Sequence, residues 1–301
     1  MKALHDLAAP AKLNLFLHVV GKRPDGYHLL QSVFVLIDWA DTLHIEARTD
    51  GRLQRHDVLG GDLPADDLCL RAARLLQAEI GCTRGADIHL EKRLPAGAGM
   101  GGGSSDAATT LLALNRLWDC RLPLARLMTL GLKLGADVPF FLGGGPAFVE
   151  GIGEVLHPLK LPERRYAVLK GPADLATKDI FSSPRLARSE NLAIVAGFPA
   201  TARTADELVG GFGRNDLQPA AEEISSEVRE ALALLSKTFG NARMTGSGAA
   251  VFSTLAGAGE NGKDDRSLAT LLEQLSKDGA SGWTGRICRS LAQHPLAGWA
   301  D

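Results

Sequence analysis

Three features of this chain combine residue types and spacing suited to chemistry: a glycine-rich run from Pro95 to Ser105, a lysine at position 12 and an aspartate at position 137. The run reads Pro95-Ala96-Gly97-Ala98-Gly99-Met100-Gly101-Gly102-Gly103-Ser104-Ser105. Glycine has no Cβ and accepts positive φ, so such a loop can turn several backbone N–H groups toward one point. That point is an anion site. Ser104, Ser105 and Asp106 are natural helix starters, and Leu111, Leu114, Leu117 and Trp118 follow at three- to four-residue spacing. The loop is therefore predicted to end at the amino end of a helix over Ala107–Trp118, whose unpaired donors and dipole also favour negative charge. Phosphate suits that arrangement best.

Two familiar phosphate loops can be tested against it. A Walker loop needs Lys and then Ser or Thr after its last glycine, whereas Gly103 is followed directly by Ser104. The spacing Gly97, Gly99, Gly102 fits a dinucleotide fingerprint, and Ala86–Leu90 alternates like the strand that should precede it. The second strand of that motif, ending in an acidic residue, is missing after the helix. A mobile glycine linker is the plain alternative, but linkers do not usually run from a strand straight into a periodic helix. Lys92 and Arg93, just before the loop, fit nucleotide binding, although basic residues on a strand end are more often solvated surface charge.

Lys12 lies in Ala11–Val20, where period-two alternation predicts a strand with Leu13, Leu15, Leu17 and Val19 on one face and Lys12 with Asn14 on the other. A strand lysine often only guards an edge. The turn Gly21–Gly26 follows, then Tyr27 and His28, which offer rings to a ligand or pack at a strand start. Strands are predicted at Leu29–Ile37 and Thr42–Ala47, with Asp50-Gly51 as a hairpin turn. Asp66 and Asp67 can cap a helix that Gly81 stops.

A third helix is predicted from Pro123 to Leu134, ended by Gly135. Pro139 disfavours helix at Val138, so Asp137 is expected in extended or turn backbone just past a helix carboxyl end. A carboxylate there invites a cation partner, and Lys12 is the candidate; ordinary turn chemistry explains the same residue. Beyond come strands Ala147–Glu150 and Val155–Leu159, a boundary near Leu161–Arg165, and strand Tyr166–Lys170. Helical patterns cover Thr204–Val209 and Pro219–Thr238, short strands Arg243–Thr245 and Ala249–Thr254, a helix Ser267–Lys277, and a last strand near Trp283–Arg289. That order is a split βαβ sandwich. The polar stretch Gly257–Asp265 is expected to be a surface loop.

At 301 residues, 45% of them hydrophobic, the chain can fill the cores of roughly two domains. A net charge of -2 with scattered Lys and Arg excludes a basic nucleic-acid field, and no apolar run approaches the length of a membrane span. Lys2, His5 and Asp6 precede any apolar run, unlike a signal peptide, so a cytoplasmic protein is expected. The four cysteines are scattered without Cys-x-x-Cys and read as reduced, and the eight histidines have no metal-ligand spacing.

Three blocks now align: Pro10-Ala11-Lys12-Leu13-Asn14-Leu15, Pro95–Ser105 and Met244-Thr245-Gly246-Ser247-Gly248. Together they resemble the three motifs of the galactokinase, homoserine kinase, mevalonate kinase and phosphomevalonate kinase superfamily. With Arg23-Pro24-Asp25-Gly26-Tyr27-His28, Leu134–Phe141 and Arg214-Asn215-Asp216-Leu217, the chain is similar to the 4-diphosphocytidyl-2-C-methyl-D-erythritol kinase family within it.

The resemblance implies an α+β, two-domain small-molecule kinase fold. Residues 1–161 would form a ribosomal-protein S5 domain 2-like ATP half, and residues 162–301 a ferredoxin-like substrate half. It implies phosphorylation by ATP of the 2-hydroxyl of 4-diphosphocytidyl-methylerythritol (CDP-methylerythritol), in the non-mevalonate route to isoprenoid precursors. Mg²⁺ would arrive with ATP rather than sit in a protein cage. By the same resemblance, Lys12 and Asp137 match the catalytic pair and Pro95–Ser105 the ATP loop. Tyr27 and Phe181 would stack on cytosine and His28 bond its edge, while Asn14, Thr177, Asn215 and Asp216 lie at or behind the substrate. Asp106 stands where the family has Asn or Asp, and Asp67 replaces an Asn of the adenine pocket. A monomer or weak homodimer is expected, without nucleic acid or membrane as partner.

Overall fold

The computed structural model describes residues 2–59, 63–186, 203–255, 261–277 and 279–300. Its organising strand is β2 (His28–Arg48), which pairs along its length with β1 (Ala3–Lys22), placing Lys12 opposite Leu36 and Leu13 opposite Val35. On its other edge β2 pairs successively with β5 (Ala147–Glu150), β10 (Thr284–Leu291) and β4 (Gly85–Glu91). The strands form a connected sheet ordered β3-β4-β2-β10-β7-β9-β8, where β3 is Leu53–Leu59, β7 Arg165–Lys170, β8 Arg243–Met244 and β9 Val251–Thr254; β6 (Val155–Pro158) pairs with β5. The expected α+β class holds. Strands β10-β7-β9-β8 are antiparallel neighbours in the ferredoxin-like order.

Helices α1 (Leu68–Ile80), α2 (Gly102–Leu117), α3 (Leu124–Leu134) and α4 (Val138–Gly143) cover one face of the amino-terminal strands. Leu76, Leu111, Leu114 and Phe140 pack there on Leu43, Ile45 and Ile88. A second core joins β1 and β2 to the carboxyl-terminal strands through Leu13, Phe16, Val35, Tyr166 and Phe252. The third buries α7 (Gln218–Ile224) and α8 (Ser226–Phe239) against β7 and β9, with α5 (Thr177–Ser182) at its rim. Helices α6 (Arg203–Gly210) and α9 (Asn261–Lys277) complete the described elements. No helix among the described residues is long and apolar enough to cross a membrane.

Several boundaries differ from expectation, each for a local reason. The two strands expected at Leu29–Ile37 and Thr42–Ala47 are one. Trp39 Nε1 donates to the Arg93 carbonyl and Asp41 accepts from the Arg93 and Leu94 amides, so the polar stretch stays inside the sheet. Asp50-Gly51 turns the chain without making a hairpin, because β4 lies between β2 and β3. Strand β3 escaped notice for a related reason: it is largely exposed and lacks a period-two pattern. The helix expected over Pro219–Thr238 is broken at Ser225, whose backbone is extended and whose Oγ caps Val228 N–H at 3.2 Å. Asn261–Lys277 is helical, so the stretch expected as a loop over 257–265 is helix from residue 261; residues 257–260 lie outside the described residues.

Candidate active site

The glycine loop crosses from β4 to α2, and its carbonyls are tied down from two sides. Lys12 N–H donates to the Met100 carbonyl at 3.0 Å, while the Ala249 and Ala250 amides donate to Gly97 and Ala98 at 2.7 and 3.1 Å. Helix α2 begins at Gly102, inside the glycine run and before the serines expected to start it, because Gly101 at φ 71° serves as its N-cap. Gly99 leaves no alternative to glycine: its φ is +70°, and a Cβ would lie 2.4 Å from the Thr245 carbonyl. Two cavities share this loop. One of about 690 Å³ is lined by Lys12, Tyr27, His28, Asp137, Thr177 and Phe181; the other, about 520 Å³, is lined by Pro64, Asp67, Arg71, Lys92 and Asp106. Gly97, Gly99, Gly101 and Ser104 face both.

In the larger cavity, β1 and the start of α4 bring Lys12 and Asp137 together: Nζ lies 3.6 Å from Oδ2. Asp137 lies in turn backbone just past α3, as expected, but Val138 after it is helical, not extended, because Pro139 is accommodated in the first turn of α4, whose N-cap is Asp137. The carboxylate remains partly open to the cavity, its side chain 30% exposed against 4% for Lys12. Burial lowers the Lys12 pKa from its usual value, and the Asp137 charge opposes that. The ammonium also donates to Asn14 Oδ1 at 2.5 Å and sits 4.5 Å from the centre of the Phe34 ring. Asn14 lines the cavity, yet its side chain is bonded inward: Nδ2 donates to Ser32 Oγ at 3.0 Å and Oδ1 accepts from Thr245 Oγ1 at 3.3 Å. In this geometry Asn14 orients Lys12.

The far wall holds the expected aromatic group in a different pairing. His28 stacks on Phe181, ring centres 5.0 Å apart and planes 23° from parallel, while Tyr27 stands 60% exposed at the rim. Thr177, at the start of α5, has its Oγ1 2.9 Å from Ser247 Oγ in the third motif. Asn215 lies deeper, donating to the Met244 and Gly246 carbonyls, and Asp216 is fully buried with Oδ2 on the Val19 amide. Both shape the backbone of the site from behind.

Lys92 reaches the smaller cavity with its charge already met. Its Nζ donates to Asp41 Oδ2 and, at 2.8 Å, to Asp106 Oδ2. Asp67 is likewise engaged, capping α1 through the Leu70 amide and pairing with Arg55 at 3.2 Å. Among the described residues, no group of three or more His, Cys, Asp or Glu side chains is arranged to hold a metal ion.

Residues 67–145 match the GHMP kinases N terminal domain family and residues 199–281 the GHMP kinases C terminal family. A 4-diphosphocytidyl-2-C-methyl-D-erythritol kinase from Methylibium petroleiphilum is 57% identical over 100% of this chain and 99% of its own. The chain belongs to the 4-diphosphocytidyl-2-C-methyl-D-erythritol kinase family. The enzyme of that name from Paracidovorax citrulli is 55% identical with the same coverage. Among solved structures, a 4-(cytidine 5'-diphospho)-2C-methyl-D-erythritol kinase superposes with a TM-score of 0.73 at 33% identity, covering 93% of this chain and 98% of that one. Homoserine kinase from Cytophaga hutchinsonii, at 17% identity and TM-score 0.70, covering 98% of this chain and 96% of its own, shares the fold.

Sequence reasoning passed over Asp41, Ser32 and Thr245, which hold the groups around the two cavities. Thr245 lay inside a recognised motif and was readable there. Asp41 carried no local signal: its partners are 51 to 53 residues away.

Proposed function

We propose that this protein transfers the terminal phosphoryl group of ATP to the 2-hydroxyl of 4-diphosphocytidyl-2-C-methyl-D-erythritol, with Mg²⁺ entering as part of the nucleotide substrate. The observation that carries the reading is the Lys12–Asp137 pair, 3.6 Å apart, in a cavity that shares its glycine wall with a second cavity. Triphosphate in the smaller cavity would present its end across the loop to an alcohol in the larger one. In a loose phosphoryl-transfer transition state the attacking oxygen needs little deprotonation, so positioning and charge stabilisation dominate. Asp137 would orient the hydroxyl and accept its proton late, while Lys12 neutralises charge on the transferring group. Loop amides from Gly97 to Gly103 and the start of α2, with Ser104, would bind the phosphates. Ser105, expected beside it, is instead fully buried, with its Oγ donating to the Pro10 carbonyl at 2.7 Å, and supports the loop from behind.

Tyr27, His28 and Phe181 form the cytosine side of this reading. For a base to be held between rings, the His28–Phe181 stack must open or the base must lie on its outer face with Tyr27 above. Thr177 would approach the substrate from the start of α5, held by Ser247 of the third motif, and residues 1–161 and 162–301 would act as nucleotide and substrate halves. We further read the protein as a cytoplasmic monomer or weak homodimer.

The test is ADP release with Mg²⁺-ATP and three acceptors in parallel: 4-diphosphocytidyl-methylerythritol, homoserine and mevalonate. Turnover confined to the cytidylyl acceptor is expected. Preference for either of the others would overturn the substrate assignment while leaving the kinase reading in place.

A further inference from the structure

Buried charges beside the glycine loop do not balance. Asp41 is fully buried and Asp106 is 3% exposed, and both hold the single ammonium of Lys92. Asp41 has its second oxygen on the Arg93 and Leu94 amides, at 2.6 and 2.8 Å. Asp106 Oδ1, equally buried, has no hydrogen-bond partner. The cluster therefore carries two carboxylates against one cation, with one oxygen unmet. It also lies where phosphate is expected: a Cβ on Gly102, the first residue of α2, would be 3.4 Å from Lys92 Nζ, and Lys92 and Asp106 both line the smaller cavity.

We propose that Asp106 and Asp41 position the Lys92 ammonium at the amino end of α2, and that Asp106 takes up a proton from solvent when a nucleoside triphosphate binds there. The proposal rests on the nucleotide reading above and adds what the buried cluster does for it. With both carboxylates charged, the cluster presents net negative charge to an incoming polyanion. Protonating Asp106 on Oδ1 removes that charge and leaves the Lys92 bond to Oδ2 in place.

The groups facing Asp106 are few. Burial raises its pKa most, Lys92 opposes and Asp41 adds, leaving it pushed up to about 7. Burial lowers Lys92, but the two carboxylates outweigh it and raise its pKa, so it stays an ammonium. The Cys69 thiol on α1, raised well above its usual value by burial and then by Asp106, stays neutral. A bound polyphosphate adds negative charge and raises Asp106 further. Affinity is thus full below pH 7 and falls as the pH climbs past it, at up to about tenfold per pH unit.

Calorimetric titration of a non-hydrolysable ATP analogue with Mg²⁺, at pH 8 in two buffers of different ionisation enthalpy, tests this. Terminal phosphates ionise near pH ~6, so the ligand is uniformly charged there. Wild-type protein is expected to take up about half a proton or more on binding. Asp106→Asn is expected to take up none and to bind more tightly at pH 8, by up to about tenfold. Wild-type heats that are equal in both buffers would overturn the proposal without the variant, as would unchanged uptake or weaker binding in Asp106→Asn. Failure of folded wild-type protein to bind the analogue at any pH would instead overturn the nucleotide reading, and the proposal with it.

Discussion

At Lys12, burial and three neighbours pull in opposite directions. Burial lowers its pKa, whereas the Asp137 carboxylate, the Asn14 carbonyl and the Phe34 ring all favour the ammonium. Deprotonation at high pH removes the charge meant for the transferring group, so activity should fall on the alkaline side. In Asn14→Ala one acceptor is gone, the neutral amine is relatively favoured, and the alkaline limb of kcat should move to lower pH. A pH–rate profile with an unmoved limb would assign Asn14 no part in holding Lys12. Asp137→Asn keeps the shape and removes the proposed proton acceptor. It is expected to lower kcat by about 10²–10⁴-fold, with KM for both substrates nearly unchanged in steady-state kinetics. A comparable rise in KM would make Asp137 a binding group.

At the scale of elements, the glycine loop is held by two separate segments. Its carbonyls bond to β1 and to the turn before β9, and Gly99 packs directly on Thr245. Gly99→Ala combines positive φ with a backbone collision, which should destabilise the fold by about 1–3 kcal/mol and weaken nucleotide binding at least ~10-fold. Thermal unfolding and a titration of the nucleotide analogue check both effects. Unchanged affinity would mean that the loop's conformation does not matter to the nucleotide. The loop was legible in the sequence because glycine spacing and a periodic helix are local signals. Its clamping by residues 245–250 was not, since hydrogen bonds spanning about 150 residues leave no periodic trace. For the same reason local pattern alone favours edge protection for Lys12 and turn chemistry for Asp137; a carboxylate past a helix carboxyl end names Lys12 only as a candidate partner, and the resemblance adds the catalytic pairing. The short helix α4 after Asp137 was not legible, because Pro139 marks its first turn and not merely a helix stop.

Across the whole molecule, the chain's end ties β10 back to the amino-terminal helices. After β10 has paired with both β2 and β7, the segment from His294 to Ala300 returns to the helices that carry Asp137. The His294 amide donates to the Gly144 carbonyl at the end of α4, Leu124 N–H donates to the Ala300 carbonyl, and Arg116 lies 4.6 Å from the centre of the Trp299 ring. None of this follows from the local pattern of a short Pro- and Gly-containing tail. His294 is 2% exposed; its Nδ1 accepts the Leu296 amide at 3.0 Å, and its Nε2 has no hydrogen-bond partner. Burial lowers its pKa from 6.5 to about 4, so the folded protein holds it neutral where the unfolded chain protonates it. Its contribution to stability is therefore complete above pH 6.5 and drains away as the pH falls toward 4. Asparagine at this position can still accept the Leu296 amide but cannot take up the proton. Between pH 7 and 4.5, denaturant unfolding should show wild-type protein losing about 2–3 kcal/mol more than His294→Asn. Equal losses would mean that the tail opens and hydrates the imidazole well before the fold gives way, and that it does not hold β10 to the amino-terminal helices in acid.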